Sequence, residues 1–354
     1  MHRNFKQVSR MVFGHDSFNQ LDDILSEKRI NSKKMIFLLD HFFKGKDLEK
    51  RIPLQKNDEL IFIDTSTEPK TAHIDLIRDK IISENNLLPD GIIGIGGGST
   101  MDTAKAVSLM LTNPGKTHEY QGWDLIKNPG VYKVGIPTLS GTGAEVSRTC
   151  VLTGPEKKLG LNSDYTVYDQ ILLDPELIKN VPKDQWFYTG MDCFIHNIEA
   201  LEGTFINEFA RSFGEKSQAL CEEVFLNDAD EAEDKLMMAS YFGGMSIAYS
   251  QVGACHALSY GLAFVLGVRH GIGNCIAFNQ LEEFYPKGVE KFRKMMDKHK
   301  VVLPEGLTEN LTDDDFNKMA DVCLGLDPLW ENALGKNWKN IMTRDKVIDM
   351  YKKI

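Results

Sequence analysis

In GMDCFIHNIEALE (190–202), Asp192 and His196 stand four residues apart within a helical pattern, so both side chains leave one face and can reach a common point. Far along the chain, ACHALSYGLAFVLGVRHGIGN (254–274) supplies His256 inside a second apolar helical stretch and His270 just beyond its end. A histidine in an apolar helix is unfavourable without a partner. Singly, each of these residues is commonplace. Together they gather three of the nine histidines and one aspartate into two apolar helices. One carboxylate and three imidazoles suit Fe²⁺, Zn²⁺, Co²⁺ or Ni²⁺. Catalytic zinc usually keeps three protein ligands and one open position, so four ligands plus a substrate oxygen favour Fe²⁺ and leave Zn²⁺ as the alternative.

A second kind of chemistry is suggested by GIIGIGGGSTMDTAK (91–105). An apolar strand runs into Gly96, Gly97 and Gly98, and Ser99 and Asp102 have capping-box spacing for the start of a helix. Glycines let backbone approach a pyrophosphate, and a helix N-terminus offers amide donors and a positive dipole end. The motif alone is an imperfect dinucleotide fingerprint, and a plain strand–helix turn reads the same way. The acid expected about 20 residues downstream falls near Glu119, outside a convincing strand. Asp40, ending the strand KMIFLLD (34–40), is the better partner for ribose hydroxyls, and its charge would repel a 2′-phosphate and favour NAD over NADP. A polar loop, PTLSGTGAEVS (137–147), sets the hydroxyls of Thr138, Ser140, Thr142 and Ser147 beside glycines, where they could close over phosphates and nicotinamide.

These groups need two kinds of scaffold. Apolar runs at 34–40, 59–64, 91–98 and 133–138 alternate with helical patterns such as His73–Asn85 and Thr100–Leu111, which implies βαβ units and a parallel sheet. KLGLNS (158–163) and QILLDPEL (170–177) close this region. After Pro182 strands largely vanish, and helical periodicity covers 190–202, 207–225, 230–249, 254–266, 287–300 and 313–323. The expected fold is α/β plus all-α: a Rossmann-like parallel-sheet domain over 1–182, then an all-helical metal-binding domain over 183–354.

Composition narrows the function classes. The 354 residues are 42% hydrophobic and 26% charged, which suits a two-domain globular chain. A net charge of −10 argues against a nucleic-acid partner. The most apolar stretch, 253–267, is too short for a bilayer, so no membrane partner is expected. The N-terminal stretch is basic without an apolar core, and the six cysteines form no C-x-x-C pair, so a reducing cytoplasm is the expected compartment.

Four signatures in order, GGGSTMDTAK, PTLSGTGAEVS, D-x-x-x-H at 192 and 196, and H-x13-H at 256 and 270, resemble the iron-containing (group III) alcohol dehydrogenases, over most of the chain from about Phe13 onward. The resemblance implies the architecture shared with dehydroquinate synthase. It implies metal ligands at Asp192, His196, His256 and His270. It also implies dinucleotide contacts at Asp40, Gly96, Gly97, Gly98, Ser99, Thr138, Thr142, Ser147 and Lys158, with Leu177 in the DPEL stretch. Three positions depart from the family's pattern. Tyr260 stands where a second histidine is frequent, which makes it the candidate proton relay. Arg269 precedes the last ligand where an uncharged residue is common, which suits an anionic substrate. Glu68-Pro69 replaces an Asn-Pro pair.

Within that family the chain is similar to the type that oxidises the C8 hydroxyl of the sugar acid 3-deoxy-manno-octulosonate, in lipopolysaccharide biosynthesis. The implied reaction is metal-dependent oxidation of a primary alcohol to an aldehyde, by ionisation of the hydroxyl at the metal and hydride transfer to NAD, or with O₂ as acceptor. The alternatives are an NAD-dependent dehydrogenase of another polyol or small alcohol and, more distantly, a dehydroquinate synthase-like lyase. The expected partners are small molecules, with a homodimer as one assembly open to the chain.

Overall fold

Met35–Leu39 contains no polar residue, so a strand there can face water on neither side. In the computed structural model it forms β2 (Met35–Asp40), and all five apolar residues are fully buried. The two-residue strand period divides them. Ile36 and Leu38 enter one core with Ile92, Ala104 and Val107, while Met35, Phe37 and Leu39 enter another with Phe18, Leu21, Ile95 and Val134. Each such side chain contributes about 1.5–3 kcal/mol by leaving water. The structure describes residues 6–84, 87–227 and 229–354. Asn85, the end of one expected helix, and the first five residues therefore lie outside the described residues.

The first unit runs to Leu139 and resumes at Ala144–Asn180. Its elements are β1 (Arg10–Phe13), α1 (Leu21–Ser26), β2, α2 (Asp47–Lys50), β3 (Glu59–Ile63), α3 (Thr71–Glu84), β4 (Gly91–Gly96), α4 (Gly98–Met110), β5 (Gly122–Trp123), β6 (Tyr132–Pro137), β7 (Thr149–Thr153), β8 (Lys158–Asn162) and β9 (Gln170–Leu173). Six strands form one parallel sheet in the order β1-β9-β6-β4-β2-β3. The expected Rossmann-like domain is present. KLGLNS does not extend this sheet. It forms β8, antiparallel to β7 in a separate sheet of order β5-β8-β7. β1 and β7 were not expected from sequence.

β4 lies centrally, between β2 and β6, and delivers the glycine turn to α4. The helix packs close to the strand at Gly94, where an added Cβ would stand 2.7 Å from the Ala104 Cβ and 3.1 Å from the Tyr168 hydroxyl.

The second unit holds Ser140–Gly143 and Val181–Ile354. Its helices are α5 (Lys183–Leu201), α6 (Glu208–Leu226), α7 (Ala232–Tyr249), α8 (Ala254–Leu266), α9 (His270–Asn279), α10 (Pro286–His299), α11 (Asp313–Leu324), α12 (Asp327–Leu334) and α13 (Arg344–Tyr351). No strand occurs in it among the described residues, as expected. α8 is buried on every face from Ala254 to Ala263, which is why its sequence is apolar throughout rather than amphipathic. Gly141 and Gly143 have positive φ values of +151° and +64°. A Cβ on Gly141 would overlap the Thr189 carbonyl, and one on Gly143 would overlap the Gly244 Cα, so only glycine lets this short segment lie on α5 and α7.

One buried amide fixes the two helices that matter most. The Asn332 Nδ2 donates to the carbonyls of Glu199 (3.1 Å), near the end of α5, and Gln251 (2.8 Å), just before α8. Its Oδ1 accepts from the Phe205 amide at 2.9 Å. No helix among the described residues is long and apolar enough to cross a membrane.

The close approach of α4 to β4 gives a direct test. Gly94→Val is expected to lower unfolding free energy by about 1–3 kcal/mol, the range for overpacking a close-packed core. Chemical denaturation measures it, and an unchanged midpoint would show that α4 can shift away without loss.

Candidate functional site

α5 carries Asp192, His196 and Glu199 at i, i+4 and i+7, all on its buried face. α8 brings His256 in its first turn, and His270 is the first residue of α9. The site thus draws on three helices, where the sequence pattern suggested two. His270 lies beyond the end of α8 as expected, but it opens a new helix.

One ligand atom from each of Asp192, His196, His256 and His270 lies within 4.8 Å of the others. The Asp192 Oδ1 is 3.4 Å from the Nε2 atoms of both His196 and His256, and its Oδ2 is 3.5 Å from that of His270. The His196 and His256 Nε2 atoms approach to 3.1 Å, with the rings stacked. Among the described residues no other group of three or more such donors converges in this way. Asp192 is fully buried, and His196 and His256 are nearly so.

The electrostatics follow from that burial. Burial alone would raise the Asp192 pKa, but the imidazoles of His196 and His270 outweigh it and hold the carboxyl well below the usual range. Burial pushes His196 down to about 4. It acts the same way on His256, yet Glu199 and Asp192 reverse the sign and push that ring up to about 9. A proton there competes with a divalent ion for the same lone pair. The Asp192 Oδ2 is buried and accepts no hydrogen bond. Converging imidazole nitrogens around an unsatisfied carboxylate oxygen are a poor packing of neutral groups and a good cage for a cation, so the residues fit a divalent metal.

Two residues that sequence reasoning missed complete the shell. The Glu199 Oε2 lies 2.5 Å from the His256 Nδ1. The Asn274 Nδ2 donates to the Asp192 Oδ1 at 2.6 Å and lies within 3.3 Å of the Nε2 atoms of both His256 and His270. Both signals were in the sequence. Glu199 is three residues past His196 on the same helix face, and Asn274 is one turn past His270. Tyr260 is buried, its ring centroid 6.3 Å from that of His256 and 6.1 Å from that of His270. Arg269 is exposed at the N-cap of α9, immediately before His270.

In the first unit the glycine turn has the expected form with one correction. α4 begins at Gly98, after an N-cap at Gly97 that makes no side-chain cap bond. The expected Ser99–Asp102 capping box is absent. Asp102 is drawn inward, where its Oδ2 accepts from the Val151 amide at 2.9 Å and burial raises its pKa to about 6. A Cβ on Gly96 would stand 2.6 Å from Thr100 and 3.0 Å from the Asp40 Cβ, and one on Gly97 would meet Leu139 at 2.7 Å. The turn is therefore drawn tight around the end of β2, with Asp40 beside it. The Asp40 Oδ1 accepts from the Phe42 amide and the Thr65 hydroxyl, both at 3.0 Å. Thr138 donates its amide to the Gly96 carbonyl at 3.0 Å, which ties its loop to the turn, while Thr142 lies on the segment grouped with the second unit.

The remaining candidates are engaged within the unit. Ser147 accepts from the buried Lys105 ammonium at 3.0 Å. Lys158 pairs with Glu68 at 3.2 Å, and Leu177 packs against the core beneath β2 and β4. A glycine cradle, a helix N-terminus and an adjoining carboxylate fit a dinucleotide.

A parallel α/β unit with a phosphate-type turn, joined in one chain to a helical unit with a buried aspartate–trihistidine cluster, fits a metal-dependent enzyme that uses a dinucleotide. Comparison with known proteins sharpens this. The family described as "Iron-containing alcohol dehydrogenase" matches residues 8–175, and "Fe-containing alcohol dehydrogenase family, C-terminal" matches residues 186–327. The chain is 29% identical to the NAD-dependent methanol dehydrogenase of Bacillus methanolicus, over 77% of this chain and 73% of that protein. It is 34% identical to the sulfoacetaldehyde reductase of Bilophila wadsworthia, over 52% of this chain and 49% of that protein. Its fold is that of the sulfoacetaldehyde reductase of Bifidobacterium kashiwanohense solved with NAD⁺, with a TM-score of 0.79 and 21% identity, covering 99% of this chain and 98% of that one.

The chain belongs to the iron-containing alcohol dehydrogenase family. It is accordingly an enzyme, an oxidoreductase acting on CH–OH groups, of a family that uses a divalent metal and NAD.

The metal cluster yields the second prediction. His196→Ala and His256→Ala are each expected to remove bound metal and activity together while the far-ultraviolet circular dichroism of the helices persists. Metal analysis after dialysis decides it, since full occupancy in both variants would exclude these ligands.

Proposed function

We propose that this dehydrogenase oxidises a primary alcohol whose substrate also carries a carboxylate, with the C8 hydroxyl of 3-deoxy-manno-octulosonate as the leading candidate and NAD as acceptor. The observation that carries the acidic substrate is Arg269. It is exposed, sits one residue from His270, and has no ion pair or side-chain hydrogen bond among the described residues. A guanidinium so placed can take a carboxylate through two parallel N–H···O bonds. The matched relative in Bilophila wadsworthia, a sulfoacetaldehyde reductase, is named for a substrate that also bears an anionic group.

The proposed division of labour follows the residues. When bound, the metal supplies Lewis-acid polarisation of the substrate hydroxyl and NAD supplies the hydride acceptor. Asp192, His196, His256 and His270 hold the metal. Asp40 accepts from the adenosine ribose diol, Gly96, Gly97, Gly98 and Ser99 cradle the pyrophosphate, and Thr138, Thr142, Ser147, Lys158 and Leu177 complete the dinucleotide contacts. Lys158 would then exchange part of its pairing with Glu68 for the cofactor. The hydroxyl proton would leave through bound water and the cofactor's ribose hydroxyls, with Tyr260, beside the His256 and His270 rings, as a relay that accepts it only while giving up its own phenolic proton. A reducing cytoplasm is the proposed compartment, in keeping with six buried, unpaired cysteines.

Cofactor choice is testable through Asp40. NAD is expected to bind more tightly than NADP, and Asp40→Ser is expected to narrow the gap in calorimetric titrations. A wild-type preference for NADP would remove Asp40 from this role. Substrate class is testable by following NADH and O₂ together with 3-deoxy-manno-octulosonate and with a neutral polyol of similar size. Arg269→Met is expected to lower kcat/KM on the acid by roughly 10- to 150-fold, the equivalent of about 1.5–3 kcal/mol for a charge-assisted bond, and to spare the polyol. Equal losses on both substrates would reassign Arg269 to holding the metal site together.

A further inference from the structure

Glu199 is a carboxylate with no exposure to solvent, and no lysine or arginine pairs with it among the described residues. Burying such a charge is unfavourable unless its partners are well placed. The partners are two. The Oε1 accepts from the Cys255 amide at 2.6 Å, with the His256 amide at 3.4 Å. These are first-turn amides of α8, whose own N-cap, Gly253, has no side chain to cap them. The Oε2 lies 2.5 Å from the His256 Nδ1. One side chain on α5 therefore caps α8 and holds the ring of the ligand that α8 carries. Asn332, bonded to the Glu199 carbonyl, fixes the backbone from which it reaches.

The Glu199 Oε1 is taken by the α8 amides and its Oε2 faces Nδ1 as an acceptor, so the proton between Glu199 and His256 is assigned to Nδ1. The Nε2 faces the Asp192 Oδ1 (3.4 Å) and the His196 Nε2 (3.1 Å), the point where the four donors converge, so it is the nitrogen that a metal would take in place of a proton. We infer that Glu199 is a positioning residue: it selects the metal-ligating tautomer of His256 and seats the helix that presents it. The inference rests on the assignment of the metal centre and assigns Glu199 no contact with substrate.

Glu199→Gln separates this role from simple helix capping, because it keeps the size of the side chain and removes only its ability to accept twice. If the amide oxygen faces Nδ1–H, the amide NH₂ confronts the Cys255 N–H, donor against donor. If the amide is reversed, its NH₂ donates to Nδ1 and forces the ring proton onto Nε2, where it blocks a metal. The variant is expected to weaken Zn²⁺ binding by roughly 10- to 100-fold in chelator competition, the usual effect of losing such a partner. Unchanged Zn²⁺ affinity alongside a lowered melting temperature would overturn the inference and leave Glu199 a helix cap. If wild-type protein took up no Zn²⁺, the metal centre itself would fall, and the inference with it.

A measurement on the wild type does not depend on the variant folding. ¹⁵N-resolved spectra of the Zn²⁺-loaded protein should show His256 protonated at Nδ1 and metal-bound at Nε2. The opposite tautomer would overturn the inference.

Discussion

Everything functional in the second unit depends on one unfavourable juxtaposition. A carboxylate and two imidazoles are forced together out of water beside a third, partly exposed ring, with two ring nitrogens 3.1 Å apart and one carboxylate oxygen left without a hydrogen bond. A divalent cation at the point of convergence would satisfy those lone pairs together. The helical unit is built to hold this cluster. α8 is apolar on every side because it is buried on every side, and its histidine, His256, is one of the four residues that converge in the cluster. α5 is likewise buried on every face from Thr189 to Ala200, with Asp192, His196 and Glu199 along one stripe of it.

The first unit solves a different problem with backbone rather than side chains. A parallel sheet places strand ends and helix starts together, and the glycines at 96 and 97 let the turn close against Thr100, Asp40 and Leu139. The ionisable groups around it are spent on holding loops. Lys105, fully buried, donates to the Ser147 carbonyl and hydroxyl and to the Thr149 carbonyl, while Asp102 takes the Val151 amide. Two charged residues one turn apart on α4 thus grip the segment from Ser147 to Val151.

How much of this was legible in the sequence depended on whether the signal was local. β2 and β4 announced themselves as unbroken apolar runs, and α8 was bounded correctly at both ends because its composition changes abruptly at Gly253 and Gly267. The convergence of Asp192 and His196 on one helix face was legible from spacing alone. α9 was not, because its ten residues include Gly271 and Gly273, poor helix formers that tertiary packing overrides. Asp102 was misread as a cap because spacing cannot report that its side chain is drawn to Val151, a partner 49 residues away. β1 escaped for a similar reason. Its residues are mostly exposed, and it exists as a strand only through pairing with β9 near the other end of the unit. Glu199 and Asn274 were within reach of the same helical arithmetic that found the ligands, but nothing local marks a residue whose role is to hold another.

The central claim is that one divalent metal is held by Asp192, His196, His256 and His270. The most direct measurement is a crystal structure of protein reconstituted with Fe²⁺ or Zn²⁺, with diffraction recorded at the metal absorption edge. The account predicts one anomalous peak per chain, bonded to one carboxylate oxygen and three imidazole Nε2 atoms of these residues. A peak bonded elsewhere, or none at this cluster under saturating metal, would contradict it.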